Sequence, residues 1–469
     1  MSQSDILTII IVGAGPGGLS LAQSIQKNHN SPEKKFNIKV FERETALQER
    51  WQGCFISLNS GGVRSLLKCV PESLTKRLHE AIPDPIVDLE TQNINICDHK
   101  GSLLLKSPAF KFKNLHEYSK LKSEFTVAST YRDRLRDLLL EGIDVQWGKK
   151  CIGYEEDEEG VCAIFEDGSR VKGDFLIGAD GINSPIRKQK IPDLKTLDIG
   201  ITDTIVDVFP EKGLLDRLNA ITGKSILKVT IGTNGDCMGC IYRYIPFNST
   251  EVNNETRYRI SMGYSYLTEQ KKKNDEVDDK ADDLATTKLP EDDEVVDEIK
   301  RRIKEHRPEG ELTSIMLELW DLAKTRNEIK EEKYPHKATF PLINRQLKDI
   351  DPLSVKEWET TRVTLLGDAI HAMNPWLALG TNSAIEDASY LSDAFGNLSK
   401  DNWKENINHY EKEMRTRTSK YVVTSRKAML RDHEPYHTFI GILFRNLRFK
   451  LLSKVMSVVT WWKGDKQDG

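Results

Sequence analysis

The stretch Asp5-Ile6-Leu7-Thr8-Ile9-Ile10-Ile11-Val12-Gly13-Ala14-Gly15-Pro16-Gly17-Gly18 decides how the rest of the chain is read. Its apolar, β-branched half, up to Val12, reads as a buried strand. The strand enters a G-x-G-x-x-G turn, after which Leu19, Ala22 and Ile25 recur at helical spacing. Strand, glycine turn and helix in that order make a dinucleotide-binding unit. Gly13 permits the tight turn, Gly15 lets backbone approach a pyrophosphate, and Gly18 lets helix and strand pack closely. The free N–H groups and positive dipole end of the helix then face the phosphates.

A glycine turn alone is a weak signal, so the next strand must supply an acid for the ribose hydroxyls. Phe36 to Phe41 reads as that strand, and Glu42 follows it, with Arg43 next. The polar stretch Lys27 to Lys35 lengthens the interval between turn and acid. A carboxylate at this place repels a 2′-phosphate, which favours FAD or NAD over NADP.

With 469 residues the chain is long enough for two intimately joined domains. A net charge of −4 gives no electrostatic reason to expect nucleic acid as a partner. No basic region precedes an apolar core at the N-terminus and no run of eighteen apolar residues occurs, so neither a signal peptide nor a spanning helix is expected. Seven scattered cysteines read as free thiols of a cytoplasmic protein. Cys237-Met238-Gly239-Cys240 has no second metal-binding pair and reads as part of a strand, so no metal site is expected.

Further along, Arg50 to Asn59, with Gly53 in it, reads as a loop before a helix from about Gly62 to Cys69. Thr130 to Leu140 reads as an arginine-rich amphipathic helix, either a solvated face or a source of contact with an oxyanion. Asp144 to Val171 reads as a small antiparallel excursion between acidic turns. Asp174 to Arg187 then returns to a buried strand ending in Gly178-Ala179-Asp180-Gly181. That puts Asp180 at a strand's carboxyl end, where ligands bind in open α/β sheets.

Strand-like runs follow between about 196 and 266, then the charge-dense segment Lys271 to Lys288, which reads as solvated. Glu291 to His306 and Leu312 to Trp320 read as helices. The last buried strand, Arg362 to Leu366, ends in Gly367-Asp368 and continues through Pro375, Ala378, Gly380, Thr381 and Asn382 to a helix predicted from Ser383. The expected organisation is α/β. A Rossmann-like dinucleotide-binding domain occupies 1–190 and 351–430, an α+β substrate domain is inserted at 191–350, and 431–469 is a helical tail.

These three separated motifs together resemble the single-component FAD-dependent monooxygenases of the aromatic-hydroxylase (p-hydroxybenzoate hydroxylase-like) type. The last is the most specific, with G-D-A-x-H at Gly367 to His371, then Pro375, Gly380, Asn382 and Glu386-Asp387-Ala388 in register. The resemblance implies that Glu42 holds the adenosine ribose, Arg132 contacts the flavin side, Asp180 supports the pyrophosphate region and Asp368 bonds the ribityl chain. It implies that the Pro375 to Asn382 turn runs along the isoalloxazine. It further implies NAD(P)H as transient reductant and a flavin hydroperoxide as oxidant for an apolar ring-bearing or polyene substrate. A flavin-dependent reductase of isoprenoid double bonds shares the scaffold, and a non-catalytic flavoprotein is the reading from another class.

Relatives mostly carry glycine where this chain has Ala378, so the methyl group calls for negative φ there or a loop further from the ring. His371 invites a catalytic role, but in the resembling family that position is mostly structural, and no catalytic residue is assigned. Phe439 to Lys463 carries five bases, no acids and two adjacent tryptophans. It reads equally as an interfacial helix on an anionic membrane or as a helix docked on the fold.

Overall fold

The computed structural model describes residues 6–28, 36–46, 55–82, 93–108, 112–121, 127–242, 258–268, 291–326, 341–396 and 402–464. Gly53 and the segment Lys271 to Lys288 lie outside these residues. The chain divides into two compact units, one of 1–89, 110–197 and 348–429, the other of 90–109, 198–347 and 430–469.

The first unit is built on a five-stranded sheet in the order Val363–Leu365, Phe175–Gly178, Leu7–Val12, Phe36–Phe41, Val145–Gln146, with every pair parallel. A parallel sheet is covered on both faces, which explains the unbroken apolar run Ile9 to Ile11, all fully buried. The helix Pro16–Asn28 packs Leu21, Ala22 and Ile25 into a core shared with Ile385, Ala388 and Leu391 of the helix Gly380–Gly396. Each buried leucine or isoleucine among them contributes about 1.5–3 kcal/mol. Between the two helices the Ser24 hydroxyl donates to Ser392 Oγ at 2.8 Å.

Two local expectations are corrected here. Ala128–Tyr131 is a strand, paired antiparallel with Phe55–Leu58, and the helix starts only at Arg132. Thr130 and Tyr131 favour a pleated surface, and a partner strand is present to accept them. The helix predicted from Ser383 begins at Gly380. The acidic-turn region forms a three-stranded antiparallel sheet of Cys151–Glu156, Val161–Phe165 and Arg170–Gly173.

The second unit holds a seven-stranded sheet in the order Ile343–Asp349, Leu197–Val208, Ile260–Leu267, Asp236–Tyr242, Leu227–Ile231, Ile94–Cys97, Leu103–Lys106. Ile94–Cys97 and Leu103–Lys106, assigned from sequence to the first domain, instead extend this sheet, Ile94–Cys97 running parallel to Leu227–Ile231. Leu103–Lys106 pairs with the nearby Ile94–Cys97, but the other partner of Ile94–Cys97 is more than a hundred residues away, and no local pattern announces it. One sheet face, including Val206, Met262, Tyr264 and Met238, is covered by Val296, Ile299, Ile315 and Trp320 of the helices Asp292–His306 and Glu311–Thr325.

The opposite face follows from register. Ile205, Gly263, Gly239, Val229 and Ile96 lie side by side across five strands, and all five are only half-buried. Cys237 and Cys240 sit three positions apart in one strand, hence on opposite faces, which separates the two thiols. The tail is a helix, Phe439–Gly464, lying along the edge strand Leu103–Lys106. There Ser453 Oγ meets the Lys106 backbone N–H at 3.3 Å and its carbonyl at 3.4 Å. Covering an edge strand in this way removes a template for aggregation.

Candidate flavin site

Because the strands of the first unit's sheet are parallel, their carboxyl ends share one edge, and four functional segments leave from it. These are Gly13 after Val12, Glu42 after Phe41, Asp180 just beyond Gly178, and Gly367-Asp368 just beyond Leu365. Gly13 has φ +112°, and a Cβ there would stand 2.2 Å from the Ala179 carbonyl oxygen. A Cβ on Gly18 would stand 2.1 Å from the Gly13 carbonyl, so only glycine fits at either position. Gly15 differs, since a Cβ there meets nothing within 4 Å. The protein leaves that space clear at the N-terminus of the helix Pro16–Asn28, where backbone N–H groups are unpaired and the dipole is positive.

Glu42 is buried beside the turn, its Oε2 accepting the Ala14 N–H at 2.8 Å and its Oε1 the Glu44 N–H at 3.2 Å. Arg43 is exposed. Arg132, the arginine singled out by resemblance, opens its helix half-buried. The arginine that reaches the glycine turn is Arg136, which pattern reasoning missed. It is 3% exposed, donates from Nε to the Ala14 carbonyl at 2.9 Å and pairs with Glu44 at 3.0 Å. Nothing in the spacing distinguishes Arg136 from its neighbours, because its partners come from residues about ninety and more positions upstream.

Both carboxyl oxygens of Asp180 are shielded from solvent and lack a hydrogen-bond partner among the described residues. Burial pushes this carboxyl up to about 6, against the opposing pull of Ser184, the Asp180 backbone N–H, Arg187 and Arg43. A buried acceptor left open in this way is a place for a ligand's hydroxyl or amide. Asp368 is exposed at the start of a short helix, and its Oδ1 lies 3.7 Å from where a Cβ of Gly380 would be. The carboxylate therefore stands beside the N-terminus of the helix Gly380–Gly396.

The turn into that helix rules out the negative φ expected as one option for Ala378. Pro375–Leu377 form one 3-10 turn, and Ala378 then takes φ +52°, ψ +34°, the left-handed region. Among the described residues it is the single non-glycine with positive φ. Asn382 holds it there, donating from Nδ2 to the Ala378 carbonyl at 2.6 Å and to the Ser57 carbonyl at 2.9 Å. Its Oδ1 accepts the Asn59 N–H at 2.9 Å. An alanine in this conformation carries about 1–2 kcal/mol of strain. Pro375 is exposed, while Gly380 and Thr381 are half-buried.

His371 is fully buried, and its Nε2 meets Asp387 Oδ2 at 2.5 Å. The same Asp387 oxygen accepts the Gly367 N–H at 2.9 Å, and Oδ1 accepts Arg417 at 2.7 Å. His371 is thus a brace between the Gly367 turn and the long helix.

The donor set suits FAD. An open floor at Gly15, a helix N-terminus above it, an unsatisfied Asp180 and an acid at Asp368 match a pyrophosphate flanked by sugar hydroxyls. The fold and this edge define an FAD-binding protein, and its curated relatives include FAD-dependent monooxygenases. More than half of the chain, residues 119–308 and 317–425, matches the FAD binding domain family, and the chain belongs to that family.

Among curated proteins it is 25% identical over 437 residues to the FAD-dependent monooxygenase thnD of Trichoderma harzianum, covering 89% of this chain and 92% of that protein. It is 26% identical over 427 residues to the dual O-methyltransferase/FAD-dependent monooxygenase elcB of Phaeosphaeria nodorum, covering 87% of this chain but only 42% of that longer protein. Among solved structures, Klebsiella pneumoniae HpxO complexed with FAD and uric acid superposes with TM-score 0.66 at 18% identity, covering 97% of this chain and 96% of that one. The 2,6-dihydroxypyridine-3-hydroxylase of Arthrobacter nicotinovorans does so with TM-score 0.65 at 17% identity, covering 93% and 95%. These two structural likenesses establish the fold.

Proposed function

We propose that the protein binds FAD along this edge and uses NAD(P)H and O₂ to hydroxylate or epoxidise an apolar, planar small molecule. The observation that carries the reading is the convergence of Gly13 to Gly18, Glu42, Asp180 and Asp368 on the carboxyl edge of one parallel sheet. FAD, when bound, supplies the two-electron chemistry that activates oxygen. The chain's own residues bind and orient it. Gly15 and the following helix N-terminus take the pyrophosphate, Glu42 the adenosine ribose, and Asp180 and Asp368 the remaining hydroxyls. The N–H groups at Gly380 and Thr381 stabilise negative charge at the pyrimidine edge of the ring.

Substrate character is read from the open face of the second unit's sheet. Gly239 and Gly263 are direct neighbours there, so a flat strip of bare backbone lies between Ile205 and Val229. A Cβ on Gly263 would meet Thr204 O, Ile205 and Asp203 Oδ1 at 3.4–3.7 Å, which is ordinary contact. A planar ring or polyene suits such a floor. Asp203 sits at its margin, 6% exposed, with Oδ2 lacking a hydrogen-bond partner among the described residues. A single N–H or O–H on the substrate is the natural partner for that acceptor.

Gly263→Ala and Asp203→Asn test this reading. Both should keep FAD and the fold, while KM for a planar ring compound that stimulates NAD(P)H oxidation rises about tenfold. Unchanged KM in both variants contradicts the placement of the substrate. A preparation that cannot be loaded with FAD contradicts the function itself.

A further inference from the structure

The tail helix is docked on one side and exposed on the other. Its inward side carries Arg445, Phe449 and Met456, all buried, and Arg445 donates to the Gly232 carbonyl. The guanidinium of Arg445 also lies 5.6 Å from the Tyr436 ring, and Tyr436 N–H is bonded to Thr233 O at 2.7 Å. The helix is therefore docked on its own unit. Yet its outward side is apolar. Phe439, Leu443, Phe444, Leu447, Leu451 and Val455 recur at three- to four-residue spacing and are exposed by 48–80%. A contiguous stripe of that kind on a folded surface marks an interaction site.

Charge selects the occupant. The segment Phe439 to Lys463 has five bases and no acid in a chain of net charge −4. Three of those bases, Arg448, Lys450 and Lys454, are exposed around the apolar stripe. A second copy of the chain would bring these bases against their own equivalents. Lipid headgroups of negative charge accept them, while the aliphatic and aromatic side chains enter the acyl boundary. Among the described residues no helix is long and apolar enough to cross a membrane. We infer that the docked tail helix is a monotopic attachment surface for an anionic bilayer, lying in the plane of the interface with Phe444 and Leu447 inserted.

Flotation of the full-length, FAD-loaded protein with vesicles tests it, using phosphatidylcholine alone and phosphatidylcholine mixed with phosphatidylserine. The expected result is flotation with the mixed vesicles, at least about tenfold weaker with phosphatidylcholine alone and weakened by salt. Phe444→Ser/Leu447→Ser should abolish it, and Lys450→Glu/Lys454→Glu should lower it about tenfold or more. FAD content, melting temperature and solution mass should be unchanged in both variants, because every substituted side chain is exposed. Failure of the wild-type protein to float with the mixed vesicles overturns the inference. So does equal flotation of wild type and variants, and so does a lipid-free dimer that Phe444→Ser/Leu447→Ser dissociates.

Discussion

Ala378 concentrates what a single residue can show. Its methyl group occupies a left-handed conformation that Asn382 enforces from the next helical turn. Ala378→Gly should therefore raise stability by about 0.5–1 kcal/mol, the relief of strain less the extra freedom glycine gives the unfolded chain. Thermal melts of the FAD-loaded protein measure it, and a lowered melting temperature contradicts the strain. Gly15 and Gly13 give a second contrast. Gly15→Ala should leave the apoprotein's stability within about 1 kcal/mol, since its Cβ has open space, yet sharply reduce FAD content. Gly13→Ala should lose the fold as well, its Cβ driven onto the Ala179 carbonyl. At this scale the strand-end and turn positions of the glycines, Glu42, Asp180 and Asp368 were legible, because each answers a local demand of strand end or turn. The φ of Ala378 and the role of Arg136 were hidden, because both depend on partners from distant segments.

Among elements, the helix Gly380–Gly396 holds the most consequence, since its N-terminus faces the cofactor edge and its second turn carries Asp387. Burial alone would raise the Asp387 carboxyl, but the His371 imidazole, its hydrogen bond and Arg417 outweigh that and hold it at about 2. A folded-state value below the ordinary 3.8 adds stability above about pH 4, lost as pH falls towards 2. Asp387→Asn should cost about 3 kcal/mol at neutral pH, leaving Arg417 without its buried partner, and should flatten the acid side of the stability profile. Urea unfolding from pH 3 to pH 7 reads both effects. A variant as stable as wild type at pH 7 contradicts the brace. Long, strongly periodic helices such as Asp292–His306 were legible from sequence. The short strands Ala128–Tyr131 and Ile94–Cys97 were not, because four residues carry no decisive period and their identity comes from the partner strand.

On the scale of the whole molecule, one unit carries the parallel sheet with its cofactor edge and the other carries a sheet with a half-buried glycine strip on one face and a helix with one exposed apolar stripe. The glycine turn alone pointed only to a dinucleotide. The match to the FAD binding domain family narrows that to FAD. What the sequence could not reveal is the open face of the seven-stranded sheet, since its glycines meet only once the strands are in register. The central claim is tested most directly by turnover of the FAD-loaded protein with NAD(P)H, isotopically labelled O₂ and a planar apolar substrate, followed by mass analysis of the product. The expected result is a product that carries an oxygen atom from the labelled gas and no turnover without oxygen. Unlabelled product, or turnover to a reduced product under anaerobic conditions, would contradict it.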